Sequence, residues 1–463
     1  MPGPPELDRD QHSVGHRHLD DLAVDLVWEV GEHGGRGDGA VVVHHHVGSD
    51  SFSCVHDNSS CSLHTFPTAS AAIDATNGRP VRLSSRAQQL RPSTIRAIAE
   101  RAGQVTHPLV RLDIGEPDFP EPAVLAEVGG EILGAGSSYL PTRGLPAFRE
   151  RLAEHLTASL GDSLEAPLTA DAVHVTAGGS EALTLAFALF CDAGDTVLLP
   201  SPGYPGYGMF TSTLGVHTRT YALDPEDGWR PDLAAIEAGL ADGARVVVVN
   251  SPNNPTGSVV SREDHLRIVE LARAHDAWVV ADEVYHAMQF SGDVLNAYAL
   301  APDRTIGVYS FSKTYSMTGY RLGVALVPEA LREKYTMLMM GGVSSIAQEA
   351  GLRVLDTDTA PMHAFYAARQ ELATKVLEAH GLPSWPAAGT FYRLVALPDG
   401  ADDMAVALAL VEAGVVAVPG SAFGELSGHG TSYLRLSLTR PDEEIERAVA
   451  VIAEVLRGGT TGS

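Results

Sequence analysis

The stretch that decides the fold runs from Ser310 to Gly323 and reads SFSKTYSMTGYRLG. It sets Lys313 among small hydroxyl residues and places Arg321 eight residues later. A lysine attacks a carbonyl group only when its amine is neutral for part of the time, and cationic neighbours or desolvation bring this about. An arginine nearby has this effect and also binds phosphate by bidentate hydrogen bonds. The stretch therefore indicates an amine nucleophile beside an anion-binding group, with a solvated lysine in a polar loop as the alternative.

Three short runs that are typical of buried strands each lead into polar or glycine-rich residues. The runs, with the residues that follow them, are 277–280 before 281–285, 245–249 before 250–257, and 173–176 before 177–183. Ligands of open α/β sheets bind at the carboxyl ends of strands, and free amides at a helix N-terminus bind phosphate. One such turn alone is ordinary turn chemistry. Their common position predicts one ligand-binding edge of an α/β sheet.

Taken together, these residues resemble the fold-type I pyridoxal-phosphate enzymes, and within them the class I/II aminotransferases. The resemblance extends from about Arg82 to Leu456, and its motifs occur in the family's order. They are Gly115-Glu116-Pro117-Asp118, Tyr139 with Gly144, Gly178-Gly179-Ser180, Tyr204, Asn254-Pro255-Thr256-Gly257, Asp282 to Tyr285, Ser310 to Arg321, and Arg435. The resemblance implies an α/β fold of type I, with a mostly parallel sheet between helices in a large domain and a smaller α/β domain.

The resemblance assigns five side chains to the ring of the cofactor, pyridoxal 5'-phosphate. Lys313 would bind the aldehyde covalently and later carry the proton between the substrate Cα and the cofactor. Asp282 would keep the ring nitrogen protonated, so that the ring withdraws electrons. Asn254 and Tyr285 would hydrogen-bond the phenolic oxygen, and Tyr204 would stack on the ring face. Lys313, Asp282 and Tyr285 are therefore the expected catalytic residues.

The resemblance assigns a second group of residues to the cofactor phosphate. They are Gly179, Ser180, Glu181, Ser310, Ser312 and Arg321. Tyr139 resembles the tyrosine that reaches the phosphate of the neighbouring subunit. The implied active unit is a homodimer with shared active sites.

Arg435 would bind the substrate α-carboxylate through its planar guanidinium group, with Asn254 and Gly115 also at the substrate. A lysine at position 435 would lose the bidentate geometry. Gly115 has no side chain and would leave room for close approach. Considered without the family, Arg435 is a charge inside an alternating apolar strand, and a cation on an edge strand is the alternative.

The substrate side chain is less well defined by the sequence. Relatives that act on dicarboxylates often place a second arginine in the region that aligns with residues 335–342, where this chain has no cation after Lys334. This favours a neutral or apolar side chain, or a broad preference. Arg393 is a candidate for a distal carboxylate, although alternation along its strand favours an outward position. Ser93 and Thr94 are further candidates for substrate contact, and the methionines between residues 335 and 342 are expected in the core.

The amino-acid composition of the chain limits the classes of molecule that it is expected to bind. The chain has 463 residues, a net charge of -26 and 3 cysteines. This charge argues against nucleic acid, which needs lysine and arginine to neutralise its phosphates. We find no apolar run long enough to span a bilayer. Three cysteines form no disulfide framework, which favours a cytoplasmic location.

Residues 1–80 differ from the rest of the chain in being rich in histidine and glycine, with little apolar periodicity. We expect a disordered or non-native extension there. A metal site formed by Cys54, His56, Cys61 and His64 is a weaker alternative, because the spacing matches no common zinc pattern. No metal is expected elsewhere. Within the family-like part, we expect a large domain at residues 126–355 and a small domain at residues 81–125 and 356–457.

The resulting functional hypothesis is transfer of an amino group from an L-amino acid to a 2-oxo acid by a ping-pong mechanism. A lyase or cyclase that uses the same cofactor is the alternative, because the motifs report cofactor handling more than reaction outcome. A regulatory domain that only senses a ligand is a third possibility. The acidic segment before Val81 argues against it, since it does not resemble a DNA-binding helix-turn-helix.

Overall fold

The computed structural model describes residues 41–47, 50–56, 82–90, 93–134, 139–160, 166–292 and 296–458. The strands of these residues are, in chain order, β1 (Val41–Val47), β2 (Asp50–His56), β3 (Val110–Arg111), β4 (Val173–Thr176), β5 (Thr196–Ser201), β6 (His217–Asp224), β7 (Arg230–Pro231), β8 (Val246–Asn250), β9 (Trp278–Asp282), β10 (Thr305–Ser310), β11 (Gly323–Leu326), β12 (Ser384–Trp385), β13 (Tyr392–Ala396), β14 (Val415–Val416), β15 (Val418–Pro419) and β16 (Tyr433–Ser437).

The helices of the same residues are α1 (Ser85–Gln89), α2 (Thr94–Ala102), α3 (Val124–Gly134), α4 (Pro146–Leu160), α5 (Gly179–Phe190), α6 (Gly206–Leu214), α7 (Leu233–Ala241), α8 (Arg262–Ala274), α9 (Ala297–Leu300), α10 (Phe311–Thr314), α11 (Arg332–Leu338), α12 (Ser345–Val354), α13 (Ala360–Ala379), α14 (Asp403–Glu412) and α15 (Asp442–Gly458). Among them, no helix is both long and apolar enough to cross a membrane.

An eight-stranded sheet has the order β4-β11-β10-β9-β8-β5-β6-β7. The strands from β10 to β6 pair in parallel, whereas β11 and β7 run antiparallel to their neighbours. In β8, Val246 and Val248 pack with α5 on one face, and Val247 and Val249 pack with α7 and α8 on the other. Burial on both faces explains the unbroken apolar run. The expected α/β fold with a mostly parallel sheet between helices is confirmed.

A second, four-stranded antiparallel sheet has the order β12-β13-β16-β15, and β3 pairs in parallel with β14 beside it. These strands share a core with α2, α14 and α15. Arg435 lies in β16, which is paired on both sides. The alternative of an edge-strand cation is therefore wrong, because both edges of this strand are already hydrogen-bonded.

The chain divides into two compact units, residues 1–81 and residues 82–463. The first contains an antiparallel hairpin of β1 and β2, which differs from the disordered extension predicted from the sequence. The β-branched valines of Val41–Val47 are a strand signal that the histidine triplet obscured. Of the alternative metal ligands in this unit, Cys61 and His64 lie outside the described residues. The further division of the second unit into large and small domains stays a prediction.

Candidate active site

A cavity of about 600 Å³ opens at the carboxyl ends of β8, β9 and β10, which end at Asn250, Asp282 and Ser310. Most of the residues proposed from the sequence line it. They are Gly115, Gly179, Ser180, Tyr204, Asn254, Asp282, Tyr285, Ser310, Ser312, Lys313, Arg321 and Arg435. Because parallel strands present their carboxyl ends at one edge, segments far apart in sequence meet in this cavity.

Lys313 lies on α10, a single helical turn directly after β10. Ser310 begins this turn, and its Oγ accepts a hydrogen bond from the amide of Ser312 at 3.2 Å. The Nζ atom of Lys313 donates to the carbonyl oxygen of Gly115 at 2.5 Å. Burial lowers the pKa of Lys313 to about 8, helped by Arg435 and Arg321 and opposed by Glu116. The amine is thus neutral for part of the time near neutral pH, as a nucleophile requires.

Asp282 is buried at the end of β9, and burial raises the pKa of its carboxyl to about 6. The hydroxyl of Tyr207 donates to its Oδ2 at 2.5 Å, and the amide of Val284 donates to its Oδ1 at 3.4 Å. Both bonds favour the ionised form. Tyr207 was missed in the sequence analysis. It follows Tyr204 by three residues, at the start of α6, and the two rings are in contact.

The start of α5 and Arg321 together form one corner of the cavity. Gly178 precedes the helix with a φ of 84°, and a Cβ at this residue would lie 2.6 Å from Nη2 of Arg321. Nη1 of Arg321 donates to the carbonyl of Thr318 at 3.0 Å. Free helix amides and a guanidinium group together suit a phosphate. The carboxylate of Glu181 instead accepts from the amide of Ala177 at 2.5 Å and is not in the cavity lining.

Tyr285 and Gly115 both contact Tyr392, which no sequence motif had indicated. The hydroxyl oxygens of Tyr285 and Tyr392 are 2.9 Å apart. A Cβ on Gly115 would lie 2.3 Å from the hydroxyl oxygen of Tyr392. The space that glycine leaves here is therefore taken by this hydroxyl. Since Arg393 next to it was considered, strand alternation could have drawn attention to Tyr392 on the opposite face.

Arg435 is buried, with only 4% of its surface exposed. Its Nη2 donates to the carbonyl oxygen of Asp113, and its guanidinium carbon lies 4.4 Å from the ring centre of Tyr392 and 5.0 Å from that of Phe423. These contacts fix the plane of the guanidinium group, as bidentate binding of a carboxylate requires.

A third arginine of the lining, Arg111, was not proposed from the sequence. Its Nε and Nη2 donate to the two carboxylate oxygens of Asp113 at 2.8 and 2.7 Å. This pair, two residues apart at the end of β3, lies on the cavity side, whereas Val110 and Leu112 point into the core. A bidentate pair has little net charge to offer a ligand.

Several other candidates lie away from the cavity. Arg393 is buried against α13, where its Nη2 donates to the carbonyl of Gln370 at 2.8 Å and to Thr374 at 2.6 Å. Ser93 caps α2 by accepting from the amide of Arg96. Tyr139 is fully exposed. The methionines also differ from the expectation, because Met339 is buried whereas Met337 and Met340 are exposed.

Pyridoxal 5'-phosphate fits the residues present. Oδ1 of Asn254 and Nε of Arg435 are buried and have no hydrogen-bond partner among the described residues. Buried polar atoms normally have partners, which a polar ligand in this cavity would supply. Lys313 suits the aldehyde, Asp282 the ring nitrogen, and the corner at Arg321 the phosphate.

Comparison with known proteins agrees with this geometry. Residues 107–452 match the family described as aminotransferase class I and II. The aspartate/prephenate aminotransferase of Thermus thermophilus is 33% identical over 81% of this chain and 98% of that protein. The aspartate aminotransferase of Pyrococcus abyssi is 32% identical over 81% of this chain and 98% of that protein.

Solved structures are similar over the same part of the chain. The aspartate aminotransferase from Thermus thermophilus with maleate has a TM-score of 0.75 and 31% identity, covering 81% of this chain and 100% of that one. An aminotransferase from Mycobacterium tuberculosis has a TM-score of 0.75 and 30% identity, covering 82% of this chain and 100% of that one. The chain therefore belongs to the class I and II aminotransferases, which are transaminases of fold type I that depend on pyridoxal 5'-phosphate.

Proposed function

We propose that this aminotransferase moves the amino group of an L-amino acid with an uncharged side chain to a 2-oxo acid, with Lys313 as the central catalytic residue. The observation that supports this most is the surroundings of Lys313. Its amine lies in the cavity with a pKa lowered to about 8, near Arg435 and Arg321. An amine that is partly neutral, with cations for two different anions, suits a cofactor phosphate and a substrate carboxylate at once.

Residues of the eight-stranded sheet hold the cofactor in this proposal. When bound, pyridoxal 5'-phosphate supplies an aldehyde that takes up the amino group and a ring that withdraws electrons from the substrate Cα. The ionised carboxylate of Asp282, supported by Tyr207, keeps a proton on the ring nitrogen. Tyr204 packs on the ring face. Asn254 and Tyr285 hydrogen-bond the phenolic oxygen.

The phosphate and the substrate carboxylate are bound by separate groups. The hydroxyls of Ser310 and Ser312, the amides at the start of α5 and the guanidinium of Arg321 bind the phosphate. Arg435 binds the α-carboxylate and so orients the bond from Cα to hydrogen towards Lys313. The neutral Nζ of Lys313 would then take the proton from Cα and deliver it to the carbon that the cofactor's aldehyde supplies.

The preference for an uncharged substrate side chain rests on the charges of the cavity. Arg321 and Arg435 have anions to bind in this proposal, and Arg111 is already neutralised by Asp113. Apolar residues from α2, Ile95 and Ala99, complete this part of the lining. Curated relatives carry names that refer to aspartate, prephenate, aromatic amino acids and LL-diaminopimelate. Family membership alone therefore does not select the donor.

We also propose a cytoplasmic homodimer. Exposed apolar side chains occur in two neighbouring segments, with Tyr139 in one and Met337 and Met340 in the other. The segments are adjacent, since a Cβ on Gly342 would lie 3.1 Å from the Cβ of Leu140. A second copy of the chain would cover this surface. Tyr139 would then reach the phosphate of the partner's site.

The test is the visible absorption of the purified protein, titrated with single amino acids in the absence of an acceptor. We expect uncharged donors to convert the cofactor from its aldehyde form to its amino form, and a 2-oxo acid to reverse the change. Conversion by aspartate or glutamate alone would contradict the proposed substrate class. Release of ammonia without conversion would identify a lyase. An absorption band that Lys313→Ala leaves unchanged would contradict the proposed role of Lys313.

A further inference from the structure

Tyr392 lies between three groups of the site, and none of the roles proposed above uses it. It is the first residue of β13, in the interior of the four-stranded sheet, and only 2% of its surface is exposed. Its hydroxyl is 2.9 Å from that of Tyr285 and fills the space above Gly115. Its ring faces the guanidinium group of Arg435 at 4.4 Å. One side chain thus contacts the residue expected at the cofactor's phenolic oxygen and the residue expected at the substrate carboxylate.

The direction of the bond between the two hydroxyls decides what Tyr285 can do. A phenol has one proton, so Tyr285 can donate to the cofactor only if it accepts from Tyr392. Burial raises the pKa of both phenols, so each stays protonated and has one proton to donate. The positive charge of Arg435 opposes this effect of burial on both phenols. If the Tyr285 proton goes to the phenolic oxygen, as proposed above, the bond between the two hydroxyls runs from Tyr392 to Tyr285.

We propose that Tyr392 is a positioning residue that couples the substrate carboxylate site to the phenolic oxygen of the cofactor. Its hydroxyl donates to Tyr285 and leaves the Tyr285 proton for the phenolic oxygen. Its ring lies against Arg435, so a carboxylate that offsets the charge of Arg435 makes Tyr392 a weaker donor. Since hydrogen bonds in a chain strengthen one another, the bond from Tyr285 weakens as well. This inference rests on the proposed roles of Tyr285 and Arg435.

The spectrum of the bound cofactor reports this coupling without turnover. We would titrate the visible absorption of the loaded enzyme against pH, for the wild type and for Tyr392→Phe, with and without isocaproate. Isocaproate is a carboxylate with an apolar chain and no amino group, so it binds without reacting. Loss of the hydroxyl removes one neutral hydrogen bond of about 1 kcal/mol, which corresponds to about 0.7 pKa unit.

We expect Tyr392→Phe to raise the spectral pKa of the enzyme by up to about 0.7 unit, because the anionic phenolic oxygen loses part of its stabilisation. Isocaproate should raise this pKa in the wild type and raise it less in Tyr392→Phe. An unchanged spectral pKa together with an unchanged isocaproate effect would overturn the inference while leaving the proposed function intact. If the wild type itself has no absorption band that depends on Lys313, the proposed function fails, and the inference fails with it.

Two further variants separate this role from a purely structural one. Phe423 also faces Arg435, at 5.0 Å, but has no hydroxyl. Phe423→Leu should therefore change the affinity for isocaproate and leave the spectral pKa unchanged; an equal pKa shift in this variant would contradict the role of the hydroxyl. In a Tyr285→Phe background, Tyr392→Phe should cause no additional shift, because the hydroxyl then has no Tyr285 proton to direct. An additive shift would also overturn the inference.

Discussion

The cavity proposed as the active site has two walls that are built in different ways. The first, here the cofactor wall, consists of Asn254, Asp282, Tyr285, Ser310, Lys313 and Arg321 from the eight-stranded sheet and its loops. The second, here the substrate wall, consists of Arg111, Asp113, Gly115, Tyr392 and Arg435. The two walls differ in how far apart along the chain their hydrogen-bonded residues lie.

Several bonds that shape the loops of the cofactor wall are local in sequence, although Lys313 and Asp282 also bond to Gly115 and Tyr207, 198 and 75 positions away. The amide of Asn254 bonds to Asn250 four residues away, the amide of Ser312 to Ser310 two residues away, and Arg321 to Thr318 three residues away. In the substrate wall, Arg435 bonds to Asp113 across 322 positions. The bond between Tyr392 and Tyr285, which joins the two walls, spans 107 positions. The loops of the cofactor wall are thus shaped by short motifs. In the substrate wall the pair of Arg111 and Asp113 is local, but Arg435 and Tyr392 are placed by contacts between distant parts of the chain.

Lys313→Ala should have the largest effect, because it removes both the covalent attachment and the proton carrier. We expect turnover to fall by more than about 10⁴-fold, measured as formation of a 2-oxo acid from the preferred donor. The other cofactor-wall residues should still bind the cofactor without a covalent bond. Lys334→Ala, at an exposed position, is the matched control and should retain activity. Substantial turnover in Lys313→Ala would refute the assignment of the nucleophile.

Asp282→Asn should lower turnover by about 10²- to 10³-fold, because a neutral amide does not stabilise a protonated ring nitrogen. The same change should stabilise the cofactor-free protein at pH 7. The folded pKa of Asp282 is about 6 and its ordinary value is 3.8, so the folded state binds more protons between these values. The wild type therefore loses stability as the pH rises through this window.

The stability gain of Asp282→Asn at pH 7 should be about 1–3 kcal/mol and should vanish below about pH 4. Thermal unfolding of the cofactor-free proteins at several pH values measures it. With cofactor bound, the charged ring nitrogen compensates the carboxylate, and the gain should disappear. A variant that is less stable than the wild type at pH 7 without cofactor would show that the bond from Tyr207 outweighs the cost of burying the charge.

Arg435→Lys tests whether the two walls act separately. A lysine keeps the charge but loses the planar pair of donors, so kcat/KM should fall by about 10²-fold, mainly through KM. The dissociation constant of the cofactor should stay close to that of the wild type. Steady-state kinetics and cofactor titration measure the two quantities. A loss of cofactor affinity as large as the loss in kcat/KM would show that the substrate wall also holds the cofactor.

The difference between the two walls also explains which parts of the fold and the site could be predicted from the sequence. Lys313, Asp282 and the start of α5 were proposed because each follows a strand within a recognisable local motif, and the structure brings them into one cavity. The eight-stranded sheet was predictable for a similar reason. A strand such as β8 is buried on both faces, and this burial leaves an unbroken apolar run in the sequence.

The substrate wall left much weaker signals in the sequence. Arg111 and Asp113 are two charged residues at alternate positions near a short strand, which is also typical of a solvated edge. Only the pairing of β3 with β14 turns them towards the cavity. For Arg393, alternation correctly indicated a position away from the site, but its burial against α13 could not be foreseen. Local patterns do not show which distant element covers a given face.

The smallest expected effect concerns the pair of Arg111 and Asp113. It tests the role of the substrate wall alone. Asp113→Asn removes the charge that neutralises Arg111 but keeps the size of a side chain that is only 4% exposed. Arg111 could then bind a distal carboxylate, so kcat/KM for aspartate or glutamate should rise by about tenfold. Uncharged donors should change by less than about threefold, because the carbonyl of residue 113 that contacts Arg435 belongs to the main chain.

The double variant Asp113→Asn with Arg111→Met is the control for this prediction. It removes the guanidinium group, so the gain for acidic donors should disappear while uncharged donors still react. If acidic donors improve equally in both variants, the negative charge of Asp113 repels them directly and Arg111 takes no part in selection. If neither variant changes the ratio between acidic and uncharged donors, the substrate side chain binds elsewhere in the cavity. The apolar lining from α2 would then be the next place to examine, through substitutions at Ile95 and Ala99.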